Sequence, residues 1–272
     1  MRLDLHLHST ASDGTLSPRA VVEAAEAGRL DVIALADHDT CAGVRRLREK
    51  GQPDSIQVIP ALEVSSTLEG QELHFLGYFV DPEADGIRAH EERAVRLREA
   101  RMKGMVQRLE KEGVEIPFEA VVKAAGPERG ALSRPHLAQA MVEAGYVSTV
   151  PEAFDRYIGD RHPAFLPTSL FSPEEAIGLV LDAGGIPVWA HPPVDQVEGL
   201  VSRFVQAGLR GLEVYRPRHP ARYTLQLEGL CRAWKLLKSG GSDWHGPDRG
   251  LEMGEFYVTA EEVAGLLEEG GI

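Results

Sequence analysis

Short apolar runs alternate with segments of helical periodicity along most of the chain, and this rhythm restricts the fold more than any other feature. Strands separated by helices pair in parallel, because a helical crossover returns the chain in the same direction. Leu3–Leu7, Val32–Ala36, Ile56–Val64, Leu73–Val80, Ile186–Ala190, Gly211–Tyr215 and Leu236–Gly240 read as strands, with Phe256–Val258 as a short late one. Pro18–Ala27, opened by Ser17 and Pro18, reads as a helix, as do Ala42–Lys50, Pro173–Ala183, Gln196–Ala207, Pro220–Trp234 and Ala260–Glu268. About seven such strands predict an α/β architecture closed, or nearly closed, into a (β/α) barrel rather than a sandwich.

Residues 87–166 break the rhythm. Ile87–Glu112 is one long helical pattern rich in arginine, and Phe118–Ala125, Arg134–Ala144 and Pro151–Ile158 follow as helices with no strand among them. The expected organisation is a barrel domain of residues 1–86 and 167–272 with a small helical insertion at 87–166. Within the arginine-rich helix, Glu91, Glu92 and Glu99 lie among the basic residues, which predicts a solvated face laced by i,i+4 pairs. His90 and His162 are expected at the surface.

Composition narrows the function classes. No apolar run approaches 18 residues, which excludes a helical membrane span. The start, Met1 to His6, has no uninterrupted apolar leader, and the two cysteines, Cys41 and Cys231, make no disulfide framework or cysteine-based zinc motif. A reducing, cytoplasmic setting is expected. The net charge of −13 sits almost wholly outside residues 87–166 and disfavours binding to duplex DNA.

The histidines carry the chemistry. His6, His8, His38, His74, His191 and His245 stand at or just past predicted strand ends, and Glu63 and Asp243 share that kind of position. In a parallel barrel those C-terminal ends form one face, so residues distant in sequence meet in one cup. In Asp4-Leu5-His6-Leu7-His8, the two-residue period puts the polar side chains on one side of the strand and both leucines on the other. Imidazoles about 6–7 Å apart along a strand can grip one metal ion or neighbouring ones. Asp37-His38-Asp39 and Asp243-Trp244-His245 again set carboxylates beside imidazoles. Mixed imidazole and carboxylate ligands suit Zn²⁺, Mn²⁺ or Fe²⁺.

The ordered set Asp4-Leu5-His6-Leu7-His8-Ser9, Ala36-Asp37-His38-Asp39-Thr40, Pro60-Ala61-Leu62-Glu63, His191-Pro192 and Gly241-Ser242-Asp243-Trp244-His245-Gly246 resembles the PHP (polymerase and histidinol phosphatase) superfamily. Arg134-Pro135-His136-Leu137-Ala138, Glu152-Ala153-Phe154-Asp155-Arg156-Tyr157 and Gly211-Leu212-Glu213-Val214-Tyr215 with His219 bring it nearest to the TrpH/YciV-like branch of nucleotide phosphoesterases. The resemblance implies a distorted seven-stranded barrel with a trinuclear metal site. His6, His8, Glu63 and Asp243 would hold the first ion. Glu63 would bridge to a second that also takes His74 and His191, and Asp13, His38 and His245 would hold the third. Asp13 stands where many relatives carry histidine. An oxygen ligand there shifts the preference toward Mn²⁺, Fe²⁺ or Mg²⁺, so two or three divalent ions are expected.

The expected reaction is hydrolysis of a phosphomonoester by a metal-activated hydroxide. Asp37 and Asp39 are candidates for orienting ligands, and His219 or His136 for a general acid. Ser133 before Arg134-Pro135-His136 looks like a helix start whose free N–H groups, with Arg134, would grip a phosphate. His136 and Arg161, the latter in the loop Gly159–Pro163, are further candidate phosphate ligands. The expected substrate is a small phosphorylated nucleotide, a 3′,5′-nucleoside bisphosphate or a 5′-nucleotide, or else the 5′ end of a short RNA. A histidinol phosphatase and a non-catalytic metal-binding module are the competing readings.

Overall fold

The computed structural model describes residues 1–51, 55–127, 130–167, 171–247 and 250–272. Its centre is an eight-stranded sheet in the order β7-β6-β5-β4-β3-β2-β1-β8. β1 (Arg2–Leu7), β2 (Val32–Leu35) and β3 (Gln57–Leu68) are parallel, and so are β5 (Ile186–Trp189), β6 (Gly211–Tyr215) and β7 (Leu237–Gly240). α1 (Pro18–Ala27), α2 (Ala42–Lys50), α7 (Pro173–Asp182), α8 (Val197–Gln206) and α9 (Ala221–Trp234) cover the outside. β2 and β5 are short apolar runs buried along their whole length, as strands covered on both faces must be.

The ring is nearly closed where the chain beyond β7 returns to β1. The His8 amide donates to the Trp244 carbonyl at 2.9 Å, and the Trp244 amide to the His6 carbonyl at 3.3 Å. Gly241 permits this approach, because a Cβ there would lie 2.5 Å from the His6 nitrogen.

Two features depart from the simple alternation. β4 (Gln71–Tyr78) runs antiparallel to both its neighbours. It forms a hairpin with β3 through Glu69 and Gly70, whose φ values of 52° and 85° belong to the tight turn that suits twisted strands. β3 therefore continues to Leu68 instead of ending at Val64. The second departure is the direction of β8 (Val258–Thr259), the short late strand expected at Phe256–Val258, which pairs antiparallel with β1 as an edge. The closing helix, α10, is confined to Ala264–Glu269.

Helices α3 (Asp85–Lys111), α4 (Phe118–Ala125), α5 (Arg134–Glu143) and α6 (Val150–Ala153), the last continued by a wider turn over Phe154–Ile158, follow β4. Met102, Met105, Leu109, Val121, Leu137 and Met141 are among the residues of their shared core. The first turns of α3 belong instead to the barrel, where Ile87 joins the core beneath α7. Residue 87 thus falls inside a helix that spans both bodies.

Candidate metal centre

Glu63 is the hub. Its Oε2 lies 3.3 Å from His6 Nε2, 3.4 Å from His8 Nε2 and 3.0 Å from His38 Nδ1. Its Oε1 lies 3.0 Å from His74 Nδ1 and 2.8 Å from His191 Nε2. Five imidazoles from four segments thus face one carboxylate that is 1% exposed. β1 supplies His6 and, just beyond its end, His8, and the turn after β2 supplies His38. His191 follows β5. His74 joins them because β4 is reversed, which brings the early part of that strand to the late parts of its neighbours.

Asp243 and Asp13 extend the cluster on either side. Asp243 Oδ1 is 3.2 Å from His8 Nε2 and 3.6 Å from His6 Nε2. Asp13 Oδ1 is 3.3 Å from His245 Nε2, and its Oδ2 is 3.8 Å from His38 Nε2. The donor atoms fall into three overlapping groups: His6, His8, Glu63 and Asp243; His38, Glu63 and His74; His8, Asp13, His38 and His245. Within each group the donors lie within 4.8 Å of one another. His191 completes the second group through Glu63 Oε1. All nine residues expected to ligate are brought together.

The chemistry of these atoms fits divalent ions. His6 Nε2, both nitrogens of His8, His38 Nδ1, Asp13 Oδ1 and Glu63 Oε2 are buried and have no hydrogen-bond partner among the described residues. Unpaired buried polar atoms are costly, and so many aimed at common points call for cations between them. Burial alone would raise the Glu63 carboxyl, but His38, His6 and His74 outweigh it and hold the group well below the usual carboxylate range. Burial pushes His38 down to about 3, so its imidazole is neutral at pH 7, the form that ligates a metal.

Surrounding groups fix the ligands. Glu213, fully buried in the middle of β6, accepts from His6 Nδ1 at 2.8 Å and from the His191 amide at 2.7 Å. Arg216 donates to the outer oxygen of Asp243 at 2.9 Å. Neither residue was expected to act, although a lone carboxylate within the apolar run Leu212-Glu213-Val214 is a signal, since a buried charge must be paired. Asp4 accepts from the Ser242 amide at 2.8 Å and holds the loop before Asp243; burial lifts its carboxyl to about 6. His191 and Asp243 adopt φ values of 30° and 57°, strained backbone of the kind found where a site dictates the conformation.

The candidate acid–base and phosphate residues divide. Asp37 accepts from the Ser9 amide and hydroxyl and from the Ser12 hydroxyl at 2.7–2.8 Å, pinning the loop between His8 and Asp13. Asp39 accepts from the Ser65 amide at 2.8 Å and from Arg98 Nε at 2.8 Å, with His90 Nε2 at 3.0 Å. Neither aspartate lines the cavity over the centre. His219 packs edge-on against Tyr223 at 5.1 Å, and His136 Nδ1 accepts from the Ser133 amide at 3.1 Å as a helix cap. Neither lines the cavity, nor does the exposed Arg161. Arg134 does, beside Ser133 and Pro135.

Two expectations about α3 are corrected. His90 is buried against Asp39 and Phe171, not at the surface. The laced face is present in part, with exposed i,i+4 pairs Arg96–Glu92 and Lys103–Glu99, but Arg98 and Arg101, 5% and 8% exposed, turn inward to the cavity instead. Mixed charge along a helix looks the same whether its partners are on the helix or across it, and here the partners are Asp39 and Glu72.

The cavity of about 360 Å³ above the centre is lined by ligands on one side and by Glu72, Arg98, Arg101, Arg134 and Phe154 on the other. Residues 4–97 match the sequence profile of the PHP domain. The chain is 31% identical to the 5′-3′ exoribonuclease Rnm of Salmonella typhimurium, over 97% of this chain and 92% of that protein. It is also 31% identical to a 3′,5′-nucleoside bisphosphate phosphatase of Chromobacterium violaceum, over 91% and 88%. Its fold superposes on a candidate metal-dependent phosphoesterase of Bifidobacterium adolescentis with a TM-score of 0.89 and 31% identity, covering 98% and 96% of the two chains.

Proposed function

Because this chain belongs to the PHP-domain family, we propose that it is a metal-dependent hydrolase that cleaves phosphomonoesters of small nucleotides. The observation that carries the reading is the set of five imidazoles around Glu63, flanked by Asp13 and Asp243, at the floor of a cavity with an arginine-bearing wall. Two or three divalent ions, when bound, would supply a water of lowered pKa and positive charge for the phosphoryl oxygens. His6, His8, Glu63 and Asp243 would hold one ion; Glu63, His74 and His191 a second; Asp13, His38 and His245 a third.

The chain's own residues do the rest. Glu213 fixes the ring of His6 and the backbone of His191, and Arg216 keeps Asp243 turned so that its other oxygen faces the imidazoles. Arg134, at the start of α5, offers a phosphate a charged donor beside the helix N-terminus. Removal of a nucleotide phosphate and stepwise release of nucleotides from a short RNA 5′ end share this chemistry. They differ in what the cavity admits beyond the cleaved ester.

One assay separates the readings. Manganese-loaded protein is given adenosine 3′,5′-bisphosphate, AMP, histidinol phosphate and a short 5′-phosphorylated RNA, and phosphate and nucleotide release are followed. Turnover of the bisphosphate or the RNA is expected. Preference for histidinol phosphate would replace the nucleotide reading, and inertness toward all four would leave a metal-binding module.

A further inference from the structure

Two imidazoles of the centre are braced from behind: His6 Nδ1 by Glu213 and His245 Nδ1 by the Asp243 carbonyl, each at 2.8 Å. His38 lacks such a brace. Its Nδ1 has no hydrogen-bond partner among the described residues, and its Nε2 faces Asp13 at 3.8 Å. Its aim is therefore set by the backbone on either side of it. On one side Asp37 is tied to Ser9 and Ser12. On the other, Asp39 has a φ of 56°, a left-handed conformation that a non-glycine residue keeps only where its surroundings impose it.

Much of what surrounds Asp39 comes from α3. The Asp39 carboxylate accepts from Arg98 Nε at 2.8 Å and lies 3.0 Å from His90 Nε2, while its bond from the Ser65 amide, at 2.8 Å, comes from β3. Glu91 Oε1 accepts from the Thr40 hydroxyl and the Cys41 amide, each at 2.8 Å, and both Glu91 oxygens take the Arg45 guanidinium. Three side chains of α3 thus grip residues 39–41, immediately after His38. The chain returning from the other helices closes on the same spot. The Phe171 ring stacks on His90 at 4.8 Å, and the Phe171 carbonyl accepts from the Thr67 amide at 2.8 Å. Simple docking of α3 onto the barrel is the plain alternative. Ile87 already supplies that in the apolar core beneath α7. A buried ion pair adds little net stability, so docking gives no reason to bury one beside His38.

We propose that His90, Glu91 and Arg98 are positioning residues for His38: the ions that His38 serves bind tightly only while α3 is seated on residues 39–41, and those ions in turn hold α3 in place. The inference rests on the metal-centre reading above and goes beyond it, since a helix outside the donor groups sets the occupancy of part of the centre. The groups define which part. His38 belongs with Glu63 and His74, and with His8, Asp13 and His245, but not with His6, His8, Glu63 and Asp243. Loosening α3 therefore weakens the ions that use His38 and spares the one that does not. The effect runs both ways, because two equilibria that share one conformational change must each shift the other.

The test reads metal binding and amide exchange, not turnover. Equilibrium dialysis of the full-length protein against a series of manganese concentrations gives the ions bound per chain. His90→Phe keeps a ring against Phe171 and loses the nitrogen; Arg98→Met removes the guanidinium. In each, the ions served by His38 should weaken at least about tenfold, while one ion per chain keeps its wild-type affinity within about twofold. His90→Gln, which restores a donor for Asp39, should recover most of the loss. Isotherms unchanged in both variants, or weakened alike for every ion, would overturn the inference. A second measurement needs only the wild type, whether or not the variants fold. Manganese should slow hydrogen exchange in α3 at least about fivefold more than in α9, which packs on β6 and β7. Equal slowing in the two helices would overturn the inference as well. A protein that binds no manganese would sink the metal-centre reading and this inference together. One that binds it as expected but hydrolyses nothing would sink the hydrolase reading and leave the role of α3 standing.

Discussion

At the scale of single residues, His8 and Asp243 are the most exacting positions. His8 turns one nitrogen toward Glu63 and Asp243 and the other toward Asp13, so it touches two of the three donor groups. His8→Ala and Asp243→Ala should each abolish phosphate release while circular dichroism and the unfolding transition show an intact fold. Activity within tenfold of wild type in either would remove that residue from the centre. Asp39 is different in kind, a 1%-exposed carboxylate paired with Arg98. Asp39→Asn leaves that guanidinium buried with its charge unmatched and should cost about 3–5 kcal/mol of stability, read as a lower denaturant midpoint. Burial opposes ionisation of Asp39, but Arg98 and His90 prevail and hold it well below the usual carboxylate range. A depressed folded pKa contributes stability above the unfolded value of about 3.9, lost as pH falls through the folded one. The gap between wild type and Asp39→Asn should therefore be level from pH 5 to 8 and close below about pH 4. A gap that widens on acidification would show that another group dominates. The ligands were legible in the sequence because histidines at strand ends need the rest of the barrel only to bring them together. Arg101 and Glu72 were not, since nothing local distinguishes a helix arginine paired across space from one paired along its own helix.

Among the elements, most helices and strands could be read from periodicity, and the reversal of β4 could not. Periodicity reports which face of a strand is buried and is blind to its direction; the Glu69-Gly70 turn was the only local clue. His74, second residue of the run read as Leu73–Val80, reaches the site because the strand is reversed, which turns its early half toward the late parts of β3 and β5. The junction of β1 with the chain after β7 is the element contact with least tolerance. A methyl group at Gly241 would meet the backbone of His6, so the strand end must move away. Gly241→Ala should lower metal affinity at least about tenfold, measured by competition with a chelating dye, because His6 and Asp243 lie on the two sides of that contact. Unchanged affinity would mean that the two segments separate without consequence for the ligands.

Across the whole molecule, the centre joins β1, β3, β4 and the segments that follow β2, β5 and β7, so bound ions cross-link most of the sheet. Manganese at about a hundred times its dissociation constant should add ~2.7 kcal/mol to stability, visible as a rise in the thermal midpoint that a chelator reverses. No change in the midpoint on saturation would contradict a site at these residues. The net charge of −13 is lodged outside residues 87–166, so the cap over the cavity is the less repulsive side for a polyanion.

α3 has a consequence of a mechanical sort. Near one end Glu91 engages Arg45 and the Cys41 amide; further on Arg98 reaches Asp39, Arg101 reaches Glu72, and Met105 and Leu109 enter the cap. One uninterrupted rod thereby indexes the cap to the floor, like a threaded shaft set at a single pitch. Adding or deleting a residue between Glu92 and Leu97 would turn everything beyond by about 100° and slide it ~1.5 Å. The length of that short stretch is therefore a gauge for where Arg98 and Arg101 stand above the floor.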